Sequence, residues 1–259
     1  GWGPGNAANG HWRPYTSRIV AVAMSPSLDA LTCDQWFSEV SNLSDVSAVH
    51  IPRSATSAYR MFKATSITSL AKGASLPEGM RSAWGMFYNC KNLSLLPDGF
   101  RLPSTLENAN SMFGGCESLL ALPEDFALPS SLRDASWMFG TCRSLTSLPS
   151  GFSIPRTQGL LVVGMFQVCE SLASLPEGFN VPESISAGTG TGKNGGMYRM
   201  FYKCGNLANL PASFSFPEQV ALDSDEVFYC VMPDGNQRVL TYYDGSDPSV
   251  LNYDWESQN

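Results

Sequence analysis

At 259 residues, 43% of them hydrophobic, the chain has material for a substantial core, yet only 15% is charged against about 25% in an average protein. A net charge of −7 with no Lys/Arg cluster argues against binding nucleic acid or an anionic membrane by counterion release. No apolar run approaches the roughly 18 residues of a membrane span.

In chain order, residues 1–15 (GWGPGNAANGHWRPY) are rich in Gly, Asn and Pro and read as a mobile lead-in. Residues 16–32 form a cap: Arg18 to Met24 (RIVAVAM) is a β-branched run that predicts a strand. From 33 to 230 a repeat takes over. Phe37, Phe62, Phe87, Phe113, Phe139, Phe166, Phe201 and Phe228 are spaced by 25, 25, 26, 26, 27, 35 and 27 residues, and six of these eight follow a Met. A period of this size identifies stacked supersecondary units, each unable to bury its apolar side alone.

Counting from the Phe as zero, five units place Cys at +3 (Cys90, Cys116, Cys142, Cys169, Cys204) and Leu at +6 and +9. Pro follows at +10, a second Phe at +13 (Phe100, Phe126, Phe152, Phe179, Phe214) and a second Pro at +16. The unit reads M-F-x-x-C-x-[SN]-L-x-x-L-P-x-x-F-x-[LIVF]-P. The first two units keep Pro52 and Pro77 but lack Cys and the full Leu pair, as the terminal units of a solenoid do. Leu-x-x-Leu-Pro suits a short strand ended by Pro, which cannot donate to a ladder. M-F-x-x-C suits a single helical turn or a tight bend on the opposite side. The expectation is an α/β repeat, with short parallel strands on one face and turns on the other.

These residues resemble the BspA-like leucine-rich repeats of bacterial surface proteins, in the variant with about 26 residues per unit. Residues 31–230 carry the resemblance, and W-F-S-E-V-S-N-L-S-D-V at 36–46 is similar to the way such arrays start. Many relatives carry Leu-Asp where this chain has Leu-Pro. The resemblance implies a leucine-rich-repeat solenoid, an extracellular or cell-surface location and an adhesive or recognition role, with no catalytic residue to carry over. Its partner would be a host or bacterial surface protein, or a glycan, met by a monomer. No signal peptide, wall anchor or lipidation motif is visible in the sequence as read. Residues 231–259 form the last unit: Val231-Met232 and Arg238 to Tyr243 flank Pro233-Asp234-Gly235-Asn236, which predicts a β-hairpin cap.

Candidate sites divide into those the repeat explains and those it does not. The five column cysteines read as buried thiols, since a ladder gives each two equivalent neighbours and no Cys-x-x-Cys spacing suggests zinc. Cys33 and Cys230 lie off the column and are freer for another role. Gly190-Thr191-Gly192-Lys193 falls in the insertion 186–196; Ala187 and Asn194 stand where a phosphate loop needs Gly and Ser/Thr, and the segment reads as a surface loop. Asp98, Glu124 and Glu177 at +11 read as solvated turn charges. Asp223, Asp225, Glu226, Asp234, Asp244 and Asp247 lack an EF-hand spacing. The two histidines, His11 and His50, adjoin no nucleophile. No catalytic residue, metal or cofactor is therefore expected.

Aromatics outside the core columns remain. Tyr59, Trp84 and Tyr198 share offset −3, Tyr88, Tyr202 and Tyr229 share +1, and Trp137 stands at −2. Tyr and Trp on a surface serve protein contacts and sugar rings, or simply tile an edge. Three readings follow. The first is a non-enzymatic recognition module, binding a protein through a solenoid face made flat and uncharged by Ser94, Ala121, Thr146, Ser147, Ala173, Ser174, Ala208 and Asn209. The second is a structural spacer of a larger surface protein. The third is a carbohydrate-binding module using Tyr59, Trp84, Tyr88, Trp137, Tyr198 and Tyr202, which requires the −3 column to be exposed and continuous.

Overall fold

A computed structural model describes residues 15–182 except 26, then 184–185, 196–207, 210–211 and 214, and the backbone of 229–231 and 237–239. The lead-in before residue 15, residues 186–195 of the insertion 186–196, the acidic cluster, Ala208 and Asn209, and the turn at 233–236 lie outside the described residues, as do the side chains of Tyr229 and Cys230.

Stacked side-chain columns form the core. The first Phe column, from Phe37 to Phe201, stacks nearly parallel with ring centroids 5.5–5.7 Å apart. The second runs beside it from Phe126 to Phe214 at 6.2–6.5 Å. Rings of the two columns meet edge-on, as Phe139 meets Phe126 at 6.0 Å and Phe152 at 6.4 Å. Offset stacking and edge-to-face contact are the two arrangements that the ring quadrupole favours. Met, Cys and both Leu positions line the same core with little or no exposure.

Backbone hydrogen bonds explain the period. At −4, −2, 0 and +2 the N–H groups donate to the next coil, as Ala83, Gly85, Phe87 and Asn89 do to Asn108, Asn110, Met112 and Gly114 at 2.7–2.9 Å. Elsewhere on the same interface the direction reverses. Glu107 and Asn108 both donate to Arg81, Ser118 to Lys91, and Leu120 to Ser94, at 2.8–3.1 Å. Four bonds thus run each way across this junction. Between the forward donors, N–H groups close i→i−3 turns, as in Met86 to Ala83 and Tyr88 to Gly85.

This pattern corrects the expected strands. Outside β1 and β2, parallel pairing among the described residues is confined to single bridges: one series joins Thr32, Ser57, Ser82, Asn108, Asp134 and Leu161, another Ser69, Leu95 and Ala121. Left-handed residues at −2 and +2 bend the M-F-x-x-C segment of each coil: Gln35 and Glu39 (φ 57 and 65°), Arg60 and Ala64 (50 and 57°), Trp137 and Thr141 (58 and 64°). A left-handed non-Gly residue costs roughly 1–2 kcal/mol. Each of these residues spends its N–H on a short inter-coil bond of 2.6–2.8 Å, a gain of about 0.5–1.5 kcal/mol repeated along the stack. The M-F-x-x-C segment is therefore the tight bend of the two predicted options, not a helical turn.

Regular strands occur at the ends. β1 (Ala21–Ala23) falls within the predicted capping run and pairs in parallel with β2 (Asp45–Ala48), Ala21 opposite Asp45 and Ala23 opposite Ala48. Near the C-terminus β3 (Tyr229–Val231) pairs antiparallel with β4 (Gln237–Val239).

Candidate recognition surface

The strip that faces outward from the first Phe column carries the off-column aromatics. Its geometry starts with the bend: left-handed residues at −2 and +2 hold the side chains at −3, −2 and +1 on one side of each coil. Side-chain caps help fix the −3 position. Asn108 Oδ1 accepts from the Asn110 N–H at 2.9 Å and Asp134 Oδ1 from the Ser136 N–H at 2.8 Å. In the second coil Asp34 Oδ1 accepts from the Tyr59 N–H at 2.9 Å.

Tyr59 and Trp84, on adjacent coils, touch edge-on with centroids 5.1 Å apart and planes at 65°. The Arg60 guanidinium lies 4.9 Å from the Tyr59 centroid and 5.8 Å from that of Trp84, a cation–π arrangement. Trp84 is 41% exposed and Tyr59 half-buried. Farther along, Tyr88 lies over Gly114, where an added Cβ would meet its Cδ2 at 3.2 Å. Trp137, 38% exposed, spreads across Gly140 and Gly164; a Cβ on Gly164 would stand 3.1 Å from its Cδ2 and Cε2. Tyr198 and Tyr202 form a second cluster: Arg199 lies 5.0 and 4.5 Å from their centroids, and Lys203 5.4 Å from that of Tyr202.

Among the described residues the −3 column is joined at the Tyr59–Trp84 pair. Asn110, Ser136 and Val163 separate Trp84 from Tyr198 at that offset. Four of the six candidates form two aromatic–cation clusters, and Tyr88 and Trp137 rest on glycines between them. The continuous column required by the sugar reading is absent among these residues. The cations are what sequence reasoning missed, although Tyr-Arg-Met-Phe occurs twice, at 59–62 and 198–201, and marks both clusters.

Along the +7 and +8 positions, Ala121, Thr146, Ser147, Ala173 and Ser174 are exposed and Ser94 half-exposed, the uncharged face expected from the sequence. Leu95 (53% exposed) and Leu120 (49%) add an apolar patch that the spacing of the core leucines did not reveal.

The other candidates resolve into structure. All five column cysteines are buried free thiols, each donating to the Phe carbonyl of the preceding coil: Cys90 to Phe62 at 3.0 Å, Cys142 to Phe113 at 3.2 Å. Burial pushes Cys90 up to about 11 and holds Cys116, Cys142 and Cys169 well above the ordinary thiol range. Cys33 is corrected: it is fully buried at −4, where later coils carry Ala58, Ala83, Ala109 and Ala135, and burial with Asp34 beside it raises its thiol to about 12. It packs as a small core residue. Asp98, Glu124 and Glu177 are exposed, and Glu124 accepts from the Ser150 hydroxyl and N–H, which lowers its pKa. Among the described residues no cluster of His, Cys, Asp and Glu could hold a metal ion, and no helix is long and apolar enough to cross a membrane.

Similar architectures occur among solved structures. A leucine-rich repeat protein of T. pallidum matches with a TM-score of 0.40 and 20% identity, over 76% of this chain and 71% of its own. A leucine rich cell surface protein of Faecalibacterium prausnitzii A2-165 matches with a TM-score of 0.35 and 18% identity, over 81% and 63%. A leucine-rich repeat protein of Bacteroides ovatus ATCC 8483 gives 0.34 and 16%, over 77% and 68%. No family model matches the chain, and no curated protein does. The chain is similar to the bacterial leucine-rich-repeat proteins, as its BspA-like repeat unit is.

Proposed function

We propose that the chain is a non-enzymatic, monomeric recognition module of the bacterial cell surface or its surroundings, and that it binds a protein ligand through the aromatic strip. One observation carries this reading: Trp84 and Trp137 stand partly exposed on a rigid ladder, and Arg60 sits against Trp84. Exposed Trp with adjacent Arg is the composition of interface hot spots. Both side chains are pre-positioned by packing, so little ordering cost falls on binding. The sugar reading is weaker, because the −3 column is not continuous, and at its joined pair Tyr59 meets Trp84 edge-on with Arg60 over both rings. The spacer reading explains neither Trp. Surface placement agrees with the low charge, and also with ladder thiols too deeply buried to oxidise readily. The C-terminal hairpin would then cover the last coil.

The test is an array of extracellular-matrix proteins, bacterial surface proteins and glycans probed with the intact chain, Trp84→Ala and Trp137→Ala. Expected is a protein ligand whose affinity falls about tenfold or more with either variant at unchanged melting temperature. Binding to glycans alone, or protein binding indifferent to both variants, refutes the proposal.

A further inference from the structure

Hydrogen bonding aligns the two degenerate coils with the complete ones. Phe100 and Phe126 each close an i→i−3 turn on the first Pro of their coil, Pro97 and Pro123. The same turn is closed by Val49 on Val46 and by Ala74 on Ala71, both at 3.0 Å. Val49 and Ala74 therefore occupy the second Phe column. Two rings are missing from that column at its N-terminal end, and in their place lies a cavity of about 680 Å³ lined by Val49, Phe62, Ala74, Phe87 and Phe100. Small-molecule sites fall in the range of about 300–1,000 Å³.

The polar groups of this cavity are specific. At the offset of His50 the complete coils carry Arg101, Ala127 and Ser153, all exposed. His50 is instead half-buried in the cavity wall, and its Nε2 is buried with no hydrogen-bond partner among the described residues. Leaving such an atom unsatisfied costs ~1–3 kcal/mol, which a ligand atom would recover. Two exposed cations, Arg53 and Lys72, also line the cavity and form none of the ion pairs among the described residues. The one carboxylate of the lining, Glu78, accepts from the Ser104 N–H and hydroxyl at 3.4 Å.

We infer that this cavity binds a small aromatic carboxylic acid. In the complete coils a ring in the second column stacks on its neighbour there and meets two rings of the first column edge-on, as Phe152 meets Phe139 and Phe166. A ligand ring in the Ala74 position gains Phe100 as stacking partner and Phe62 and Phe87 as edge partners. Its carboxylate is matched by Arg53, Lys72 and the His50 Nε2, with net positive charge around it. An aliphatic acid forfeits the ring contacts, and an aromatic amine faces two unpaired cations.

The experiment is calorimetric titration of the intact chain with indole-3-propionate and with its amide. Expected is saturable one-to-one binding of the acid, with the amide weaker by about tenfold. Ala74→Phe, which restores the missing ring, should abolish binding while holding or raising the melting temperature. Where Ala74→Phe disturbs folding, Ala74→Leu fills part of the same space and should weaken binding about tenfold at unchanged circular dichroism. Arg53→Ala with Lys72→Ala should weaken the acid and leave the amide alone. No saturable binding up to ~10 mM, or binding that survives both Ala74 substitutions, overturns the site. Equal affinity for acid and amide overturns its carboxylate specificity.

Discussion

Truncating Phe139 measures how much of the stability resides in the ring columns. Its ring is fully buried, stacks on Phe113 and Phe166 at 5.7 and 5.6 Å, and meets Phe126 and Phe152 edge-on. Phe37, at the start of the column, is 4% exposed and has one stacked partner, Phe62 at 5.6 Å. A buried Phe→Ala change costs ~3–5 kcal/mol from lost transfer energy and the cavity left behind. Each ring pair adds ~0.5–1.5 kcal/mol beyond area, so three further partners put Phe139→Ala ~1.5 kcal/mol or more above Phe37→Ala. Urea unfolding followed by far-UV circular dichroism gives both values, provided the slope with denaturant is unchanged. A cost for Phe139→Ala below about 2 kcal/mol, or no larger than for Phe37→Ala, would show that the columns are spectators and that the backbone ladder carries the stability.

The unbroken Phe register predicts a single cooperative unfolding transition for the array; two well-separated transitions by calorimetry contradict it. Buried thiols make the fold sensitive to alkali. Below the ordinary thiol pKa of 9.0 the contribution is fully present; above it thiols ionise in the unfolded chain but not in the folded one, so stability falls as pH rises toward the raised folded values. The loss is roughly 1 kcal/mol per pH unit for each fully buried thiol, read from urea midpoints between pH 8 and 10.5, with slow native labelling by a thiol reagent as the companion measurement. A flat profile with rapid labelling rejects the ladder. Gly164→Ala forces a Cβ at φ 57° against the Trp137 indole, and should cost ~1–2 kcal/mol and shift Trp fluorescence. An unchanged spectrum would mean that Trp137 does not rest there.

The columns were legible because packing repeats the same residue at the same depth: Phe, Met, Cys, Leu and Pro reappear wherever a coil presents the same wall. The bends were not. Left-handed residues at −2 and +2 include Arg60, Trp137, Thr141 and β-branched Val168, chosen for other reasons, and Gly85, Gly115 and Gly164 are the few whose chemistry announces the conformation. Strand propensity could not reveal that inter-coil hydrogen bonding would impose it. The aromatic strip was visible as offsets, but Arg60 reaches Trp84 across a coil boundary that linear reading does not join. The vacancy at Ala74 was hidden by a one-residue shift of Pro77 relative to the later coils, which placed Ser75 rather than Ala74 in the Phe register until the turn bond to Ala71 fixed it.

The opposed hydrogen bonds across each junction bear on growth of the array. An α-helix adds its peptide dipoles head to tail and accumulates charge at its ends. At the junctions of the Phe87 coil with the Phe113 coil and of the Phe113 coil with the Phe139 coil, four donors point each way, so the peptide dipoles there largely cancel. Each open end still displays its donors and acceptors in separate lanes. A coil can be accepted only whole and in the same sense, because a reversed coil would set carbonyl against carbonyl along the Met-Phe lane. Duplication of complete units therefore keeps both lanes in register when such a chain becomes longer or shorter.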